Sequence, residues 1–436
     1  MLAELKTEGL IKRIKEAGRE FPDLRTGANT QYEMEDAVMG AFSVFFTQSP
    51  SFLSHQEEMK RAKGRCNAES LFTIGTIPSD SQIRVLLDPV SPEHLARVFR
   101  EVYADLGRTM ILDQMRSHGR NLLIAMDGTE YFSSKKVCCE KCSQRELLNG
   151  EIQYFHTVLT PVIVQSGNEY VIALEPEYIT PQDGHEKQDC EIEAGKRWIR
   201  KYGDFYAKRG VTLLGDDLFS RQPFIRLLQA KKLHFILVCK PDSHPALYET
   251  VAFLAANGVL STYQKRLWNG RFGEIYTYRY ANKLPVRGDQ EAIDVNWCEL
   301  VITREDTGEQ LYRNAFCTDF SILETTVEAI VRDGRARWKV ENENNNVLKT
   351  KGYHLEHNFG HGSRHLASLL LTLNLLAFLF HTVLDLVDEK YHLLRQALRT
   401  RQKFFQDIET LLRYFVFSSW EDLLQFMLIG LDLDTS

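Results

Sequence analysis

No surplus of positive charge marks this sequence. Its 53 Lys and Arg face 59 Asp and Glu, a formal net charge of −6. The usual footprint of a nucleic-acid-binding domain is a basic one, so the total argues mildly against that class. The local distribution is different. Arg332, Arg335, Arg337 and Lys339 lie close together, and Lys60, Arg61, Lys63 and Arg65 form a second cluster. Arg395, Arg399, Arg401 and Lys403 form a third. An acidic total coexists with a basic groove when carboxylates gather at a metal site. A secretory signal is also missing. The opening stretch, MLAELKTEGLIKRIKEAG, is amphipathic and charged, with no apolar segment of the kind a signal needs. The eight cysteines are therefore expected as thiols of a reducing compartment. No internal repeat or low-complexity segment stands out.

Two further absences are more specific. Cys139-x2-Cys142, with Cys138 beside it and His156 downstream, has half the spacing of a zinc site. A second cysteine pair is missing, so ordinary buried or surface thiols are the expected role. An unbroken membrane span is missing too. The longest apolar run, 366–387, approaches span length, but it contains Asn374, His381 and Asp385. A helix buried in a large core is the expected form, with no membrane as partner.

What is present begins with helices. Residues 1–105 have helical spacing broken near Pro78 and Pro89, and Ser91 before Pro92 suits a helix N-cap. This part is expected to be a helical N-terminal domain. With its 60–65 basic cluster it is either a DNA-binding module or a cap on the rest. Short apolar runs bounded by turn residues follow, and they predict buried strands. They are 121–126, 154–164, 170–174, 211–214 and 235–239, with helices over 188–202 and 221–230. Residues 259–320 alternate and are rich in aromatics, which predicts an inserted antiparallel β-region. From Ser321 onward the pattern is helical.

Carboxylates fall at telling places. Asp127 ends one predicted strand, and the pair Asp216-Asp217 ends another. Strand-end aspartates are common turn residues, but such ends are also where sheets bind ligands. In the stretch 335–352, RARWKVENENNNVLKTKG, α-helical spacing puts Arg337, Glu341, Asn344, Asn345 and Leu348 on one side. That predicts a half-buried Glu341 and a solvated Glu343 opposite it. The bland role of Glu341 is an ion pair with Arg337 one turn away. The sharper one is as third ligand, with Asp127 and Asp216, to a hard cation. Oxygen donors of that sort suit Mg²⁺ or Mn²⁺, and a pair of such ions supports phosphodiester chemistry.

The set AMDGT (125–129), LLGDDLFS (213–220) and RWKVEN (337–342), in that order, resembles the DDE transposases of bacterial insertion sequences. The resemblance spans roughly residues 115–385. It implies an α/β fold with an RNase H-like mixed five-stranded sheet flanked by helices. The catalytic domain would start at 115–258, be interrupted by the β-rich insertion and be completed over 321–385 by the helix carrying the Glu. C-terminal helices occupy 386–436.

By the same resemblance, Asp127, Asp216 and Glu341 are the catalytic and metal-holding triad. Asp216 is preferred over Asp217 because Phe219 stands three positions later. Arg337 orients Glu341 or meets a phosphate. One well-known form of the third motif has Tyr three residues before that Arg and Lys seven after the Glu. This chain has Gly334 and Lys349, the latter eight after. Arg335, Lys349, Lys351 and Arg364 are the expected phosphate contacts, and Trp297, like Trp268, is either a platform for an unpaired base or, as the more ordinary role, a residue of β-packing. His354, His357, His361 and His365 have ligand-like spacing, but Gly360 and Gly362 interrupt any helix. A loop near DNA is therefore expected there. The polar run 183–191 at a helix start has no assigned mechanism.

The function implied is Mg²⁺-dependent cleavage and strand transfer at terminal inverted repeats of double-stranded DNA. It would be carried out by at least a homodimer in the bacterial cytoplasm, on the nucleoid when bound. The alternatives are a nuclease of the same fold without strand transfer, and an inactive DNA-binding remnant.

Overall fold

The computed structural model describes residues 2–26, 30–181 and 187–433. Thirteen strands are described in chain order. They are β1 (Leu122–Ala125), β2 (Gly128–Ser134), β3 (Ser143–Glu146), β4 (Ile152–Leu159), β5 (Val162–Val164), β6 (Ile172–Ala173), β7 (Glu177–Ile179), β8 (Val211–Gly215), β9 (His234–Val238), β10 (Ser261–Trp268), β11 (Gly273–Pro285), β12 (Asp294–Arg304) and β13 (Gln310–Thr318). Nine of them form one mixed sheet in the order β10-β11-β12-β13-β9-β8-β1-β5-β6. The protein is therefore mixed α/β.

The middle of the sheet explains the apolar runs. β1, β8 and β9 are parallel neighbours, and every residue of β1 and β8 is buried. Strands covered on both faces read as continuous hydrophobic stretches. The helices Lys187–Ala207 and Gln222–Ala230 make the crossovers between the parallel strands.

Two expectations need correction. The sheet has nine strands rather than five. β13 pairs antiparallel with β9, Phe316 opposite Val238 and Thr318 opposite Ile236, so the aromatic β-region continues the central sheet. The expected strand 154–164 is two strands. Pro161 has no N–H to donate to a ladder, and the chain changes sheets there. β4 enters a second sheet with β2, β3 and β7, while β5 pairs with β1. The polar β2 and β3 gave no alternating apolar signal.

The helices at the two ends of the chain share one core. Phe42 packs edge-on against Phe380, and Phe46 and Phe72 pack against Trp420. The Asn67 amide donates to the carbonyls of Leu412 and Phe415. The helix carrying the 60–65 cluster thus lies against the C-terminal segment, with those basic residues exposed. The Leu366–Val387 helix is long and apolar enough to cross a membrane, yet 89% of its most apolar stretch is buried inside the protein. His381 finds partners there, meeting the Tyr353 hydroxyl at 2.7 Å and the Phe46 carbonyl at 3.0 Å, and the Asn374 amide donates to the Tyr353 carbonyl at 2.8 Å. Asp88 closes the N-terminal end of this helix by accepting from the main-chain N–H of Ser363, Arg364 and Leu366.

The segment bearing Glu341 is anchored just before it. In the helix Glu324–Arg335, Asp333 is buried and accepts from the Ser117 hydroxyl at 2.5 Å and the His118 N–H at 2.9 Å. Gly334 beside it lets the helix approach the sheet. A Cβ there would stand 2.8 Å from the Phe316 ring and 2.9 Å from Ile236. This accounts for the absence of a tyrosine at the position. Gly334→Val is expected to destabilise the protein by about 3 kcal/mol through overpacking, read as a lower midpoint in urea at unchanged slope.

Candidate active site at the ends of two parallel strands

Pairing fixes the first two carboxylates. Ala125 of β1 lies opposite Leu214 of β8. Two residues on, Asp127 and Asp216 occupy the same level of neighbouring parallel strands, whose spacing is about 4.8 Å. The ladder extends to the edge of the site, with the Met126 N–H on the Leu214 carbonyl and the Thr160 N–H on the Asp127 carbonyl. Asp216 accepts the Leu218 N–H at 2.9 Å through one oxygen. Asp217 is engaged elsewhere. It accepts the Lys240 N–H at 2.7 Å and the Ser243 hydroxyl, joining the end of β8 to the loop after β9. Of the two, Asp216 is the one whose charge acts on Asp127 and on which Arg337 acts.

The third carboxylate comes from an unusual turn. Val340–Asn345 is π-helical, between the Glu324–Arg335 helix and Asn346–Thr350. Single π turns widen a helix by one residue and cluster at functional sites. This turn corrects the α-helical reading of the segment. Glu341 is exposed, with 48% of its side chain accessible, and Glu343 is half-buried. The expected pairing is present, as Arg337 donates to Glu341 at 2.9 Å. Asn344 and Asn345 turn inward and are buried. Thr160 and Asn344 both donate to Asn345 Oδ1, which leaves the Asn345 amide 3.4 Å from Asp127 Oδ2. The asparagines therefore hold the turn against the end of β1.

Electrostatics shows the groups act on one another. Burial, then the nearby Glu341, Glu191 and Asp216, pushes the Asp127 carboxyl up to about 7, against a downward pull from Arg337. Asp216 is also raised, mainly by burial, and Arg337 again pulls it down. One guanidinium is thus shared among the carboxylates. Glu191 was not singled out in the sequence as a site residue. Its carboxylate lies beside the main chain after Asp127, where a Cβ on Gly128 would stand 2.6 Å from Oε1. The glycine in Asp-Gly-Thr was the available signal. Of the polar run 183–191, residues 183–186 lie outside the described residues.

The remaining expected contacts divide. Lys351 and Arg364 are exposed. Lys349 pairs with Glu356 at 2.9 Å, and Arg335 lies over the Tyr312 ring at 4.6 Å. Trp297 corrects the sequence reading. It is fully buried in β12, with its Nε1 3.4 Å from the Tyr248 hydroxyl, and cannot meet a base. Trp268 on β10 is exposed.

The acidic groups offer oxygen donors, the type a hard divalent cation takes, but among the described residues they are not gathered as closely as the ligand atoms of Cys139, Cys142, His156 and His361. Burial first, and then the neighbouring carboxylates, hold the Asp127 proton up to about 7 even with Arg337 nearby. No protein-family model matches the chain, and no curated protein matches it.

Proposed function

We propose that the chain is a DDE transposase with an RNase H-like catalytic core. The observation that carries this is the acidic site itself. Asp127 and Asp216 stand level at the ends of adjacent parallel strands, coupled to Glu341 through Arg337. Sheet order supports it. In β6-β5-β1-β8-β9, strand β5 alone runs against the others, the arrangement the RNase H-like reading requires. The π turn gives a physical account of Lys349. One extra residue in a widened turn lets eight positions after Glu341 span the two turns that seven span in an α-helix.

Asp127, Asp216 and Glu341 would hold Mg²⁺ or Mn²⁺, which when bound supplies charge for an attacking oxygen and a leaving oxygen. The chain's own residues do the rest. Asn345 fixes the Asp127 carboxylate, Arg337 orients Glu341, and Lys351 and Arg364 offer exposed charge to DNA phosphates. In the cleavage step a water oxygen bonds to phosphorus while the P–O3′ bond breaks, leaving a 3′-hydroxyl and a 5′-phosphate. In the joining step that 3′-hydroxyl attacks a target phosphate and releases a target 3′-hydroxyl. Two ends require at least a dimer in the reaction complex, and the setting is the bacterial cytoplasm.

The test uses the full chain, Mg²⁺, the DNA ends flanking its own gene and a target plasmid. Nicks with 3′-hydroxyls and joined products are expected from the wild type, and neither from Asp216→Ala or Glu341→Ala. Full cleavage by those variants would reject the site. Cleavage without joining of pre-cut ends would make the protein a nuclease, and no cleavage by the wild type would make it a remnant.

A further inference from the structure

A second constellation lies away from the carboxylates. Cys139 and Cys142 sit in the turn between β2 and β3, and His156 stands on β4 of the same small sheet. The fourth member, His361, comes 219 residues after Cys142, from the loop before the Leu366–Val387 helix. The ligand atoms of all four lie within 4.8 Å of one another. Among the described residues no other group of three or more His, Cys, Asp or Glu is gathered this closely.

The distances carry chemical information. A tetrahedral zinc ion, with about 2.3 Å to sulfur and about 2.05 Å to nitrogen, sets sulfurs about 3.8 Å apart and sulfur–nitrogen pairs about 3.6 Å apart. The Cys139 and Cys142 sulfurs are 3.8 Å apart. His156 Nε2 lies 3.6 Å from Cys139 Sγ and 3.4 Å from Cys142 Sγ, and His361 Nε2 lies 3.7 Å from Cys142 Sγ. These four separations match edges of a zinc-sized tetrahedron, and the remaining two lie within 4.8 Å. They are longer than strong hydrogen bonds, and the sulfurs are too far apart for a disulfide.

The surroundings fit ligands as well. The Cys139 N–H points at Cys142 Sγ at 3.4 Å, so the turn itself steadies a thiolate. His156 Nε2 faces both sulfurs, and its ring is held by stacking on Tyr131, with centroids 5.6 Å apart. Both imidazoles are buried, away from competing water. His361 packs on Phe132 and stacks on His156 with both rings buried. Two thiolates and two neutral imidazoles balance the charge of Zn²⁺, which lets the site sit inside the protein.

We propose that Cys139, Cys142, His156 and His361 form a structural zinc site. Four protein ligands close the coordination shell, as in sites that hold structure rather than catalyse. The ion would clamp the small β-sheet, which starts one residue after Asp127, to the loop that follows the Glu341 segment. It would thereby set the approach of two parts of the acidic site, from outside that site and with different donor chemistry.

The full chain purified without chelator is expected to carry about one zinc per chain, measured by elemental analysis. A thiol-modifying mercurial should release that zinc in step with thiol loss. Cobalt exchanged into the protein should give thiolate charge-transfer bands and strong visible bands of tetrahedral Co²⁺. Cys142→Ser and His361→Ala should lose the metal, Cys138→Ser should keep it, and His361→Cys should restore a four-ligand site. Should the loss variants fail to fold, mercurial release and the cobalt spectrum of the wild type decide alone. A wild type that purifies metal-free and gives no tetrahedral cobalt spectrum would overturn the proposal, as would a Cys142→Ser protein retaining its zinc. These readouts need no DNA and are unaffected by whether the protein cleaves it.

Discussion

Asp127→Asn is expected to leave the protein folded and to lower its Mg²⁺-dependent DNA cleavage by about 10³-fold or more. The substitution keeps the shape of the side chain and an oxygen for the Asn345 amide, which lies 3.4 Å away, so the end of β1 should not rearrange. What it removes is the charge at the most crowded point of the site. A second signature follows from titration. The folded carboxyl titrates at about 7, above the unfolded value of about 3.9. Between those limits the native state holds a proton that the unfolded chain has lost. Stability of the metal-free protein therefore falls as pH rises from about 4 to about 7. On the proposed metal-holding role a divalent cation would replace that proton, so Mg²⁺ or Mn²⁺ should raise the melting temperature clearly at about pH 8 and much less at about pH 5. Thermal melts at both pH values measure this. In Asp127→Asn both the pH slope and the cation effect should shrink. A wild type that melts identically with and without cation at the higher pH counts against the site.

Legibility of this protein followed burial and sequence range. The parallel strands β1, β8 and β9 were readable because residues covered on both faces leave unbroken apolar runs. Asp127 and Asp216 were readable as the residues just past those runs. The join between β13 and β9 was not, because pairing between distant strands leaves no local period. The side of the helix on which Glu341 stands was misjudged for one reason. A 100° step does not hold across a segment that is π-helical: Glu341 faces outward and Glu343 is half-buried, while Asn344 and Asn345 keep the inward side that the spacing gives them. Spacing cannot reveal such a turn, since it is stabilised by Thr160 and Asp127, far away in the chain. His361 has ligand-like spacing with its neighbouring histidines, but its actual partners are not among them. Cys142 lies 219 residues earlier, and pairing over that range leaves no local pattern.

Trp297 provides the largest expected effect on stability. An aromatic side chain on an alternating strand can be a stacking platform for a base or a core residue, and the pattern of β12 does not say which face is covered. Its pairing partners Ala281 and Cys317 are small, and Tyr248 closes over it edge-on at 5.9 Å while donating to the Cys239 carbonyl at 2.7 Å. Tyr248 comes from the Pro245–Ala256 helix after β9. The indole therefore fastens that helix to the outer half of the sheet. Trp297→Ala should cost about 3–5 kcal/mol, seen as a large fall in the urea midpoint. Trp297→Phe, which keeps most of the volume and forfeits the contact with the Tyr248 hydroxyl, should cost less. A stacking tryptophan behaves oppositely, weakening DNA binding by about 1–3 kcal/mol with stability intact. On the proposed function that outcome is the one expected of Trp268, which is 65% exposed on the edge strand β10. Measuring both variants for melting and for affinity to single-stranded DNA separates the roles. If Trp297→Ala kept its midpoint and lost affinity, the face of β12 buried here would have to be the one that meets DNA.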